Sequence, residues 1–162
     1  MWNAAPCGDF NWMQHVPLDG KLYIGGDIVQ EMVEKLQQRH WSRNREFRLL
    51  DIVDDPLPEA DLWMCRDVLF HLPEADALKV LRRAGQSNIK YFLSSTFPFV
   101  RKNVKGVDTN LGWFRYINLC KPPYNLPRPL RELEDFIVPY PPKVLGLWSR
   151  EQLQEAAARF DE

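Results

Sequence analysis

Two periodicities alternate along the first part of the chain, and this alternation restricts the fold more than any other feature of the sequence. Leu22 to Asp27 (LYIGGD) reads as a short strand after the Asp19-Gly20 turn. The run DIVQEMVEKLQQRH that follows brings Ile28, Met32, Val33 and Leu36 to helical spacing. Arg45 to Val53 (REFRLLDIV) reads as a strand closed by Asp54-Asp55-Pro56, and Ala60 to Asp67 as another. Pro73 suits the first turn of a helix. The apolar stripe of that helix is Ala77, Leu78 and Leu81, and Gly85 is its predicted stop. Lys90 to Phe97 is a near-continuous β-prone run, expected of a strand buried on both faces. With a very short opening strand in MWNAA, the pattern implies an α/β domain with a largely parallel sheet.

Proline marks where the alternation stops. Eight of the 13 prolines fall between Pro98 and Pro142. Proline lacks the N–H that a helix needs, so residues 99–129 are predicted to form one long, shaped loop. Beyond it, LRELEDFIV and KVLGLW are expected to pair antiparallel across the PYPP turn. Ser149 and Gln152 have the spacing of a capping box at the start of a last helix. A length of 162 residues corresponds to one domain, 1–162.

Charge and cysteine usage remove several classes. The 21 basic and 22 acidic residues leave a net charge of −1, without the basic excess of an electrostatic nucleic-acid binder. No apolar run approaches the ~20 residues of a membrane-spanning helix. Cys7, Cys65 and Cys120 are odd in number, and the N-terminus has no secretory pattern, which favours a cytoplasmic setting. These cysteines and His15, His40 and His71 show no metal-ligand spacing, so no metal is expected.

In open α/β sheets, ligands bind at the carboxyl ends of the strands. Ala5, Pro6, Cys7, Gly8 and Asp9 follow the first strand, and Gly8 there lets a ligand approach the backbone. Amides leading into a helix would receive an anion; a plain strand-to-helix turn is the equally weighted alternative. Asp27 ends the second strand, 19 residues after Gly8, and reads either as an acceptor for a ribose diol or as a helix cap. Asp51 and Ile52 offer one polar group and an apolar wall for an adenine ring, or turn hydrogen bonds alone. After the fourth strand, Cys65, Arg66, Asp67 and His71 are concentrated together. Asp67 and His71, four apart, are the candidate catalytic pair. A polar cluster that ties the loop down is the preferred reading of the same residues.

Taken in order, PCGDFNWM, YIGGDIV, REFRLLDIVDDPLPEADLWMCRDVLFHL, KYFLSSTFP, INLCKPPYNLPRPL and KVLGLW resemble a bacterial-type family of class I S-adenosylmethionine-dependent methyltransferases. The resemblance covers nearly the whole chain. It implies a Rossmann-like sheet of seven strands, six parallel and one antiparallel in a C-terminal hairpin, with helices on both faces. It places the cofactor motif at Ala4 to Phe10, the ribose-binding acid at Asp27, with Ile28 beside it, and adenine at Asp51 and Ile52. Cys65 and Arg66 would line the cofactor's other flank. The implied activity is S-adenosylmethionine-dependent methyl transfer to a small-molecule or protein acceptor. Trp113, Phe114, Arg115, Tyr116 and Tyr124 are candidates for the acceptor pocket, and packing of the long loop over the sheet edge is the equally weighted alternative.

The generic motif has an acid where this chain has Ala4, and of its three glycine positions, Pro6, Gly8 and Phe10, only Gly8 is glycine. The chain also starts inside the first strand, where such enzymes carry preceding helices. An oligomer or partner covering that side is therefore expected, and a non-catalytic interaction module on the same fold is the alternative function. KPPYN, Lys121 to Asn125, is similar to the box of amino-group methyltransferases but follows the fifth strand instead of the fourth, so nucleic-acid amino methylation is not inferred. A nicotinamide oxidoreductase would need a Gly-x-Gly-x-x-Gly turn that is missing.

Overall fold

The computed structural model describes residues 1–104, 114–136 and 138–160. Seven strands form one sheet in the order β3-β2-β1-β4-β5-β7-β6. They are β1 (Trp2–Ala4), β2 (Tyr23–Asp27), β3 (Arg45–Leu49), β4 (Ala60–Cys65), β5 (Ile89–Thr96), β6 (Arg131–Glu134) and β7 (Val144–Ser149). Every pairing is parallel except those of β7, which runs antiparallel to both β5 and β6. The helices are α1 (Gln30–His40), α2 (Glu74–Gln86) and α3 (Arg150–Ala157).

Paired residues share a sheet face, and neighbours along a strand alternate between faces. Asn3, Trp63, Phe92 and Trp148 therefore point to one side. There Trp63, Phe92 and Trp148 meet Ala77, Val80 and Leu81 of α2 and Leu153 of α3 in the larger core. The Trp63 indole also donates to the carbonyl of Ala5 (3.1 Å), which satisfies its one polar atom in full burial. Tyr23 and Phe47 point to the other side and pack with Phe10, Met13 and the Val33 and Leu36 stripe of α1. Helices thus lie on both faces.

The last strand–helix junction follows the sequence closely. The Ser149 hydroxyl accepts from the Gln152 amide (3.4 Å), and the Gln152 side chain accepts from the Ser149 amide (3.0 Å). Gly85, expected to stop α2, instead lies inside it. A Cβ there would stand 3.2 Å from backbone atoms of Leu153 and Gln154, so Gly85 permits the close crossing of α2 and α3. The strand predicted over Arg45 to Val53 ends at Leu49. Asp51 closes a side-chain turn through the Val53 amide (2.8 Å), and the Asp51 amide donates to Asp55 (2.8 Å). Ile28, placed in the helical stripe by periodicity, precedes α1 and is exposed. Strand β5 is not covered on both faces along its length: Lys90 and Tyr91 are exposed. Leu62, Met64, Leu93 and Leu147 share the face of Tyr91.

The proline-rich connection between β5 and β6 does the work of a helix without being one. Its Ile117, Leu119, Tyr124 and Leu126 are buried in the larger core. Two buried asparagines replace the missing backbone ladder. Asn103 accepts from the Asn118 amide (2.8 Å) and donates to the carbonyls of Asn118 (2.9 Å) and Pro122 (2.8 Å). Asn118 in turn donates to the Val100 carbonyl (2.9 Å).

Candidate functional site

The carboxyl ends of the parallel strands carry two adjoining sites. The first is the turn after β1. The chain leaves the sheet at Ala5, returns a hydrogen bond from the Cys7 amide to the Gly26 carbonyl (2.7 Å), and turns at Gly8 with φ +56°. That value favours glycine. A Cβ on Gly8 would meet nothing within 4 Å, so the outer side of the turn is open. Asp27 is 5 % exposed and fixes this turn: its Oδ2 accepts from the Gly8 amide (3.1 Å) and its Oδ1 from the Val29 amide (3.2 Å). The carboxylate therefore ties the glycine turn to the approach of α1. Each oxygen keeps a further lone pair. Ile28 and Val29, 65 % and 51 % exposed, form an apolar shoulder beside it.

Some predicted residues support this turn from beneath. The side chains of Ala5, Ile52 and Cys65 are buried in the larger core. Burial pushes the Cys65 thiol well above its ordinary value, and the Cys65 carbonyl is occupied by the Ser94 hydroxyl (2.8 Å). Cys7, pushed up to about 12 by burial and by the nearby Asp27 charge, is a neutral thiol under the turn. Asp9 forms a local turn through the Asn11 amide (3.0 Å). The helix expected after this turn is reduced to the 3-10 segment Met13–His15, so no regular helix N-terminus faces a ligand there.

The second site is a cavity of about 590 Å³ beyond β4 and β5. Its floor is an ion network. Arg66 donates twice to Asp135, at 2.9 Å through both Nε and Nη2. Lys143 Nζ lies 2.6 Å from Asp67 and 3.2 Å from Asp135. Lys143 reaches this end because β7 runs antiparallel and begins where the parallel strands stop. Burial alone would raise the Asp135 carboxyl, but the Arg66 hydrogen bonds and the Arg66 and Lys143 charges outweigh it and hold it below the usual carboxylate range. Asp67 adopts φ 58° and is clasped by Ser95, whose hydroxyl accepts from its amide (3.0 Å) and donates to its Oδ1 (2.7 Å). Arg66 also stands 5.3 Å over the Trp12 ring, and so joins the two sites.

One wall is aromatic. Phe70, Phe97, Phe114 and Tyr116 pack with ring centroids 4.7–5.7 Å apart, edge to face. His71 joins Phe70 at 4.6 Å and lines the same cavity as Asp67. The shared helical face anticipated for Asp67 and His71 is absent, because only the 3-10 segment Leu69–His71 follows Asp67. Of the acceptor-pocket candidates, Phe114 and Tyr116 line the cavity. Tyr124 does not: it is 1 % exposed in the core. Arg115 turns inward to the Leu72 carbonyl (2.7 Å) and the Tyr124 hydroxyl (3.1 Å). Trp113 lies outside the described residues. Phe136, Tyr140, Asp135 and Lys143 were missed by the sequence reading, although aromatic residues flanking the PYPP turn were a legible signal.

No protein-family model matches the sequence, and no curated protein matches it. Solved structures do. A magnesium protoporphyrin IX methyltransferase from Synechocystis PCC 6803 with bound SAM superposes with a TM-score of 0.65 at 18% identity, over 90% of this chain and 67% of that one. This is the class I S-adenosylmethionine-dependent methyltransferase fold. The mitomycin 7-O-methyltransferase MmcR has the same methyltransferase fold, with a TM-score of 0.64 at 16% identity over 91% of this chain and 48% of that one. Human N-acetylserotonin methyltransferase in complex with SAM matches at 0.50 and 22% identity, over 59% of this chain. The chain spans 29% of that protein's length. Within the methyltransferase fold, the six-parallel, one-antiparallel order expected from the resemblance is observed.

Proposed function

We propose that the protein binds S-adenosylmethionine across the Gly8 turn and transfers its methyl group to an acceptor held in the aromatic cavity. The observation that carries this is the buried Asp27 carboxylate, fixed between the Gly8 and Val29 amides with lone pairs to spare for a ribose diol. The open side of Gly8 and the apolar shoulder of Ile28 and Val29 suit an adenosyl group. Asp51, whose Oδ1 is committed to its own turn, stands at the neighbouring strand end. When bound, S-adenosylmethionine would supply a sulfonium-activated methyl whose C–S electron pair returns to sulfur as the acceptor's lone pair forms the new bond.

The protein's part is placement and exclusion of water. Arg66 spans the boundary between the turn and the cavity through Trp12 and Asp135. Asp67, clasped by Ser95 and Lys143, acts as a positioning carboxylate. His71, at the cavity wall, is the proton acceptor for an acceptor group that must lose one.

Isothermal titration with S-adenosylhomocysteine tests the reading. Saturable binding that weakens in Asp27→Asn is expected. A folded protein giving no heat at millimolar ligand overturns it. That outcome would favour a non-catalytic interaction module, a reading that the reduction of the post-β1 helix to one 3-10 turn also supports.

A further inference from the structure

The cavity lining restricts what the acceptor can be. The cavity measures about 590 Å³, a volume suited to a small molecule. Its lining holds the packed Phe70, Phe97, Phe114 and Tyr116 cluster, together with Phe136 and Tyr140 from between β6 and β7. Phe114, Tyr116 and Tyr140 are 47 %, 44 % and 72 % exposed, so large ring surface is left open to solvent. Aromatic rings gain most from a partner that is itself flat and apolar.

The polar floor sharpens the choice. Its two cations are both committed: Arg66 to Asp135 through two bonds, and Lys143 to Asp67 and Asp135. A carboxylate or phosphate entering the cavity would meet cations whose charge Asp67 and Asp135 already compensate, so it gains less from them than from an unpaired cation. Glu134, at the cavity edge, adds a further negative charge. In the described lining Arg66 and Lys143 stand against Asp67, Glu134 and Asp135, a sum of −1 over these five groups.

Resting on the methyl-transfer reading, we infer that the acceptor is a planar aromatic small molecule without negative charge, stacked on the Phe114–Tyr116 wall with its polar edge toward the Asp67–Lys143 floor. Anionic acceptors are discriminated against by the carboxylates that compensate Arg66 and Lys143, and Asp135 is the specificity-determining residue.

Equilibrium dialysis with 2-naphthol, 2-naphthoate and glucose tests this, each with the protein alone and with S-adenosylhomocysteine added. 2-Naphthol should bind saturably and at least tenfold more tightly than 2-naphthoate, with glucose weaker than both. Phe114→Ser, at an exposed ring, should weaken 2-naphthol at least tenfold without altering the circular dichroism spectrum. Asp135→Asn frees the cations and should narrow or reverse the naphthol preference. Preference for 2-naphthoate or glucose in the unmodified protein overturns the inference, as does indifference to Phe114→Ser. Should Asp135→Asn fail to fold, the Phe114→Ser result decides. Naphthol selectivity without S-adenosylhomocysteine binding would sink methyl transfer and keep the pocket assignment. The reverse result would sink only the pocket assignment.

Discussion

The turn after β1 and the cavity beyond β4 sit side by side on one sheet edge yet are built from different materials. The turn is made of backbone: the amides of Gly8 and Val29, one positive φ and one buried carboxylate. The cavity is made of side chains, most of them partly exposed, gathered from β4, β5, the long connection and the β6–β7 turn. A backbone site tolerates little change, because altering any part moves the rest. A side-chain site can be re-lined residue by residue. The invariant half of a transfer reaction suits the first kind of construction, and the variable half suits the second.

The largest expected effect comes from breaking the backbone site. Gly8→Val places a β-branched residue at φ +56°, where L-residues pay roughly 1–2 kcal/mol or more. S-adenosylhomocysteine binding should weaken at least 100-fold by calorimetry, while 2-naphthol binding in the cavity stays within threefold. Asp27→Asn comes next. It removes an acceptor from both amides' shared anchor and should weaken the same ligand by about 1.5–3 kcal/mol, roughly 10- to 100-fold. An unchanged dissociation constant would separate Asp27 from the cofactor.

Asp135→Asn probes the side-chain site through stability. With Asp135 only partly exposed, the loss at neutral pH should be about 1–2 kcal/mol by urea unfolding. Its carboxyl is held below the ordinary range in the folded state, so its contribution is present above the unfolded value near ~4 and disappears as pH falls through the lower folded value. The gap between the parent and Asp135→Asn should therefore be full at pH 7 and close toward pH 3. A gap that persists in acid would mean the pairing is not its source. Tyr140→Ser, at the most exposed ring of the cavity, should alter stability by less than about 0.5 kcal/mol, and only ligand binding should report it.

How much was legible follows the same division. The alternation of strands and helices, the C-terminal hairpin and the Ser149 capping box are local or periodic features that the sequence carries openly, whereas the make-up of the sheet came through the family resemblance. The pairing of Asp27 with the Gly8 turn was legible because a strand, a glycine turn and an acid keep a characteristic spacing. The burial of Cys65 was legible too, because its period-two partner Trp63 announces a core-facing row. The ion network was not legible. Arg66 and Asp135 lie 69 residues apart, and no periodicity connects them until β7 folds back along β5. Tyr124 takes the packing alternative, an aromatic in a proline-rich loop that closes the core.

One extended stretch has two masters. Phe114 and Tyr116 look into the cavity, Arg115 reaches back to Leu72 and Tyr124, and Ile117 is sealed in the core. Because outward and inward positions interleave, adding or deleting one residue would exchange recognition for hydrophobic cover along the whole stretch. New preferences can therefore arise here by replacement at fixed length, and descendants of this scaffold should vary the identity of those outward rings while conserving the count between them.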